Sequence, residues 1–107
     1  MLAFSSALMV MLAGAPADSM AKTRQDFAGC LAAFMTDALD RKMPSADYKV
    51  ALKDNCAAKE TAFRAAIIAS DKKDGMNEKD ATADADEQIK DYLDRFGSDY
   101  DDASKPS

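Results

Sequence analysis

The chain of 107 residues contains no histidine and no tryptophan. Without an imidazole, the usual general base, the Ser-His and Cys-His nucleophile pairs and the commonest metal ligand are all missing. Serines outside the first segment, at positions 19, 45, 70, 98, 104 and 107, lie in no G-x-S-x-G string. Glycine and proline are scarce, at 4 and 3 residues, so each one is a strong mark of where an element stops. Bases are outnumbered, 14 Lys and Arg against 19 Asp and Glu, for a net charge of −5. A surplus of acid disfavours nucleic acid and anionic lipid as partners. The length fits one small domain.

What is present begins with an uncharged segment, Met1 to Ala17, apolar from Leu2 to Leu12 and closed by Ala13-Gly14-Ala15-Pro16-Ala17. An apolar stretch followed by small residues is the pattern of a secretory leader. Cleavage after Ala17 is expected, because cleavage after Ala15 leaves Pro16 as the new terminus. The segment is shorter than the roughly 20 residues of a membrane-spanning helix. The sequence therefore predicts a signal peptide over residues 1–17, a periplasmic or secreted location, and no membrane association once the leader is removed. Phe27-Ala28-Gly29-Cys30 does not mark lipid attachment, since Lys22, Arg24 and Asp26 precede it.

Three helices are predicted in the remaining chain. From Met20 to Lys42, Phe27, Cys30, Leu31, Phe34 and Ala38 recur at intervals of three and four, which gathers them on one helical face. Thr23 and Asp26 resemble a capping box, and Arg41-Lys42 stand where the helix dipole favours cations. Met43-Pro44-Ser45 breaks the helix, because proline tolerates the first turn of a helix but not its interior. A second helix is expected from Pro44 or Ser45 to Lys73, with Tyr48, Leu52, Cys56, Phe63, Ala66 and Ile67 within an arc of about 100°. Lys59 interrupts that face. Beside it runs a strip of small residues, Ala51, Ala58, Ala62 and Ala65, suited to close approach of another helix. Asp74-Gly75-Met76-Asn77 is the next turn, with Gly75 fit for a left-handed C′ position and Asn77 for an N-cap. Helix three is expected from Glu78 to Phe96, ended by Gly97, with residues 98–107 a disordered acidic tail. The globular part is thus read as residues 18–97.

Charge is divided unevenly. Asp18 to Lys73 holds ten bases and eight acids, whereas Asp74 to Ser107 holds four bases and eleven acids. The last helix is therefore drawn to the other two.

Cys30 and Cys56 have their midpoint at residue 43, where proline chemistry independently places the bend. In an antiparallel hairpin the two sulfurs then stand at one height and are expected to pair, with Phe34 opposite Leu52 and Phe27 level with Lys59. A bridge closing about 25 residues is worth on the order of 3 kcal/mol in the chain-entropy treatment. The pair is read as a structural disulfide: there is no C-x-x-C string and no further ligand. The fold expected is all-α, a disulfide-linked antiparallel helical hairpin carrying a third amphipathic helix.

We assign no catalytic residue, no metal ligand and no cofactor from the sequence. The acidic side of the third helix, Asp80, Asp84, Glu87, Asp91 and Asp94, is read as a solvated face. The loop at Asp74-Gly75 fails calcium-loop spacing, with Ser70, Lys72 and Ala81 at ligand positions. If the third helix covers only one flank of the hairpin, Tyr48 stays half-covered and a groove around Met35, Leu39 and Tyr48 is the expected ligand-binding surface. The function expected is a non-enzymatic exported module that binds a protein partner; the sequence specifies neither that partner nor the oligomeric state of the chain itself. Two other readings are an inhibitor of a secreted or periplasmic enzyme and an acid-stress chaperone. A small, mostly helical exported chain with two cysteines resembles the periplasmic acid-stress chaperones in layout. No motif is shared, so no binding residue carries over. That reading implies that titration of the 19 carboxylates pulls the third helix off the hairpin.

Overall fold

Where the helices of this chain stop is decided by a few residues. The computed structural model describes residues 15–106. Among these it contains four α-helices and no strand: α1 Ala15–Asp40, α2 Ser45–Asn55, α3 Ala57–Lys73 and α4 Glu78–Ala103. The leader expected over residues 1–17 falls largely outside the described residues.

At the end of α1 the Met43 N–H donates to the Ala38 carbonyl at 3.0 Å and the Lys42 N–H to the Leu39 carbonyl at 3.1 Å. These are the two bonds of a Schellman motif, and Lys42, with φ 54°, occupies the left-handed position usually given to glycine. Pro44 follows in extended conformation as the N-cap of α2, its carbonyl accepting the Tyr48 N–H at 2.9 Å. The α3–α4 turn repeats the motif with Gly75 at φ 104°. There the Met76 N–H reaches the Asp71 carbonyl at 2.9 Å, and Asn77 caps α4 by accepting the Asp80 N–H at 2.8 Å. Both turns lie where the sequence puts them.

Thr23 does not begin a helix. Its hydroxyl donates back to the Ser19 carbonyl at 2.7 Å, inside α1, which starts earlier than expected.

Cys30 and Cys56 are bonded, with their Cα atoms 5.9 Å apart. The bridge joins the middle of α1 to the junction of α2 and α3. The aromatic contacts that flank it lie one turn further from the bridge than the partners expected level with them, Leu52 and Lys59: Phe27 meets Phe63 at 5.7 Å between ring centroids on one side, and Phe34 stacks on Tyr48 at 5.8 Å on the other. Lys59 lies outside the core, exposed.

The arm expected as one helix from residue 45 to 73 is two. Cys56 takes φ −108° and ψ 18°, off helical values, while its N–H still reaches the Leu52 carbonyl and its carbonyl still accepts the Glu60 N–H. The result is a bend at the residue tethered to α1. It lets α2 lean on the C-terminal half of α4 while α3 packs against α1 and the N-terminal half. Neither proline nor glycine marks the place, so pattern alone does not reveal it.

A second departure concerns the C-terminus. Helix α4 passes through Gly97 and ends at Ala103, with Ser104 as C-cap. Residues 98–103, expected as disordered tail, are helical, and the fold extends past residue 97. A glycine inside a helix costs roughly 1 kcal/mol. Burial of Tyr100, at 0% exposure, outweighs that cost. Gly97 has a packing role as well: the Lys49 stem crosses α4 there, with Cε 3.4 Å from where a Cβ would stand.

The core is built from Phe27, Leu31 and Ala38 of α1, Tyr48 and Leu52 of α2, Phe63 and Ile67 of α3, and Ala85, Ile89 and Tyr100 of α4. Phe27, Phe63 and Tyr92 form its aromatic centre, Tyr92 presenting its edge to each phenyl ring at 5.7 and 5.8 Å.

Candidate functional site

The groove expected around Met35, Leu39 and Tyr48 is filled from within the chain. Tyr100 lays its ring on that of Tyr48, centroids 3.9 Å apart and planes within 8°, so Phe34, Tyr48 and Tyr100 form one continuous stack. Tyr48 is fully buried, not half-covered, and Met35 is part-buried against the core. The reason is the extra length of α4, whose last turns cover the flank the sequence leaves open. Leu39 alone still reaches a surface depression, of about 550 Å³, with Met43, Pro44 and Tyr100.

The two stacked tyrosines differ at their hydroxyls. That of Tyr100 donates to the Met43 carbonyl at 2.7 Å and approaches the Ala38 carbonyl at 3.2 Å, both at the Schellman end of α1. That of Tyr48 is buried without a partner. Burial, reinforced by the neighbouring Tyr100 and Asp99, pushes the Tyr48 phenol from 10 up to about 12. A phenol harder to ionise in the fold than in the open chain stabilises fully below pH 10, and that contribution is lost as pH rises from 10 through 12. Two pH units correspond to about 2 to 3 kcal/mol. Tyr48→Phe is therefore expected to leave stability at pH 7 unchanged or up to about 1 kcal/mol higher, since no hydrogen bond is lost. It should also reduce the alkaline loss, leaving the part that comes from the lysine ion pairs. Urea unfolding at pH 8 and pH 11.5 checks both; an equal alkaline loss in the variant contradicts the assignment.

Three ion pairs join α4 to the hairpin, each with its base on the hairpin and its acid on α4. Lys49 reaches Asp101 at 2.8 Å, Arg64 pairs with Asp86, and Lys72 reaches Glu78 at 2.6 Å. The Lys49 ammonium, followed by the Ser45 hydroxyl, holds the Asp101 carboxyl below the ordinary carboxylate range. The expected attraction between the acidic helix and the hairpin thus takes a specific form, although such exposed pairs are individually weak.

Two other surface features are large enough to consider. Between α2 and α4 a groove of about 370 Å³ is floored by Leu52 and Leu93 and walled by Lys49, Lys53, Asp94 and Asp101. Lys49 pairs with Asp101 inside it, while Asp94 is held by Lys90 from outside the lining. Between the first turns of α1 and the length of α3 lies a trough of about 560 Å³, lined by Ala62, Ala65, Ala66 and Ala69 with Ser19 and Thr23 opposite. Among the described residues Lys73 is its one charged lining residue. Of the small-residue strip expected from the sequence, Ala62 and Ala65 lie in this trough and Ala51 and Ala58 do not; beyond the first turns of α1, no helix among the described residues covers it, and Ala58, Ala62 and Ala65 are exposed. The attraction of α4 to the opposite flank leaves the strip uncovered.

No family model matches the chain, and no curated protein or solved structure matches it either. The site must be read from its own chemistry. Among the described residues no three of His, Cys, Asp and Glu are grouped as metal ligands, and no helix is long and apolar enough to cross a membrane. The acidic stripe of α4 is exposed at Asp80, Glu87, Asp91 and Asp94, but Asp84 is part-buried. It is turned toward Asp71 of α3, a contact the sequence reading missed.

Proposed function

We propose that the protein is an exported, non-enzymatic module that binds a protein partner through the alanine-lined trough between α1 and α3. The observation that supports this reading is the contrast between two flanks of one hairpin. On one, α4 buries the available apolar surface. On the other, four alanines of α3 remain open in a shallow channel whose small side chains let a partner's backbone come close. The leader-like segment and the bond between Cys30 and Cys56 fit an oxidising compartment.

The test is affinity capture with the chain from Asp18 onward, run beside Ala65→Arg. An arginine at this exposed position fills the channel without entering the core, so the melting temperature is expected to stay within about 2 °C of the parent. A specific partner should be retained by the parent and lost, by tenfold or more in affinity, from the variant. Equal retention by both rules out the trough as the binding surface.

A further inference from the structure

The α3–α4 contact contains a feature that does not depend on any partner. Phe63 and Tyr92 meet across it at 5.8 Å. Two turns toward the loop on each helix, at i+8 from Phe63 and i−8 from Tyr92, stand Asp71 and Asp84. Eight residues turn each helix by about 80°, so Asp71 and Asp84 stand at the edge of the contact, and the register that pairs the aromatic rings sets the two carboxyl groups at one level there. Asp71 Oδ2 is buried and accepts from no N–H group and no Ser, Thr or Tyr hydroxyl. Asp84 Oδ2 accepts from the Gln88 amide at 3.0 Å, and the group faces Asp71.

No base among the described residues offsets the pair. On α3, Asp74 adds a further negative charge, Lys72 is engaged with Glu78, and Lys73 lines the trough. On α4, Asp80 is held at the Asn77 cap. From α1 the residues at this level are Ser19 and Thr23, which do not titrate, and Lys22 is paired with Asp26 at 3.0 Å.

We propose that Asp71 and Asp84 form a proton-binding clamp, in which one shared proton ties α3 to α4 and its loss at neutral pH sets two carboxylates against each other across the helix interface. Two close carboxylates cannot both ionise freely, and the hydrogen bond to Asp84, followed by burial, raises Asp71 above its ordinary value. Acid therefore acts oppositely at the two ends of α4. Near the turn it closes the clamp. Near the C-terminus it discharges Asp101 and weakens the link to Lys49 and Ser45. Any acid-driven opening of α4 then starts from its C-terminal end, with the α3–α4 turn as the fixed hinge, and the helix does not leave the hairpin as a unit. This goes beyond the binding role proposed above and stands or falls separately from it.

The decisive measurement uses the full chain, wild type beside Asp71→Asn and Asp84→Asn. An asparagine amide donates to the remaining carboxylate and replaces the missing proton, so each variant is expected to melt about 3 to 8 °C higher than wild type at pH 7. At pH 3 the three should coincide. Asp84→Asn is the stricter arm, because Asp71 lies near the C-terminal end of α3, where removing a negative charge is favourable in any case. A rise in Asp71→Asn without one in Asp84→Asn overturns the proposal. Carboxyl carbon NMR of the wild-type chain reads the same event without a mutation: Asp71 should titrate above the exposed aspartates, and its titrating with the rest also overturns the proposal.

Discussion

Tyr100→Ala is expected to lower the unfolding free energy by about 3 to 5 kcal/mol, the range for removing a large buried aromatic ring. The change opens a gap against Tyr48, whose ring lies 3.9 Å away, and strips the Met43 carbonyl of its hydroxyl donor at 2.7 Å. Tyr100→Phe separates the two effects. It keeps the stack and loses only the hydroxyl, for a cost of about 1 to 2 kcal/mol. Ending the chain after Gly97 should cost at least as much as the alanine substitution, because it also removes Asp101 and with it the anchors to Lys49 and Ser45. Urea denaturation followed by circular dichroism at pH 7 measures all three. A loss below about 1 kcal/mol for Tyr100→Ala would mean that the last turns of α4 do not hold to the hairpin, and that residues 98–107 are the tail their polarity suggests.

That contrast shows which kind of information the sequence carries. The two sharp turns were legible because each is specified by local chemistry: proline cannot continue α1, and Gly75 takes a left-handed conformation that costs other residues more. The bridge was legible because its midpoint coincides with the first of those turns. Tyr100 was not. It stands among acids, three residues after a glycine, and only the empty flank of a hairpin 50 or more residues away makes its burial favourable. Tertiary contact here overrides propensity by a margin of several kcal/mol against about one.

The candidate sites follow the same division. The alanine strip on α3 was visible as a pattern, but which helix would cover it depends on where α4 docks, and that is set by Tyr100, the ion pairs from Lys49, Arg64 and Lys72, and the bend at Cys56. The groove at Met35, Leu39 and Tyr48 was misjudged for the same reason, since the covering residue lay in a segment read as tail. Asp71 and Asp84 share the register of Phe63 and Tyr92, which centres between Asn77 and Glu78 and not on Gly75, so counting outward from the glycine does not find the pair and only the packed helices show it. The acidic stripe of α4 reads as a solvated face in the sequence, and Asp84 within it turns inward.

Replacing both Cys30 and Cys56 by alanine is expected to cost about 2 to 5 kcal/mol, centred near 3 for a loop of this size. The bond constrains the open chain, but it also sits at the bend between α2 and α3, so two contributions must be told apart. Cys56 is 1% exposed and Cys30 only part-buried, which makes the packing lost at residue 56 the larger of the two. If the bond dominates, Cys30→Ala alone costs nearly as much as the double change, because either substitution breaks it, and reducing the wild-type chain reproduces that loss. If packing dominates, the single changes add, Cys56→Ala is the costlier, and reduction does little. The geometry favours the first outcome. Phe27 and Phe63 on one side of the bridge and Phe34 and Tyr48 on the other keep their own contacts in either redox state, so a free thiol at residue 56 remains a well-packed small apolar side chain. The reduced chain should therefore still fold, with its urea midpoint lowered by an amount matching the single variants. Strict additivity of the two alanine changes would contradict a role for the bond as the staple of the hairpin.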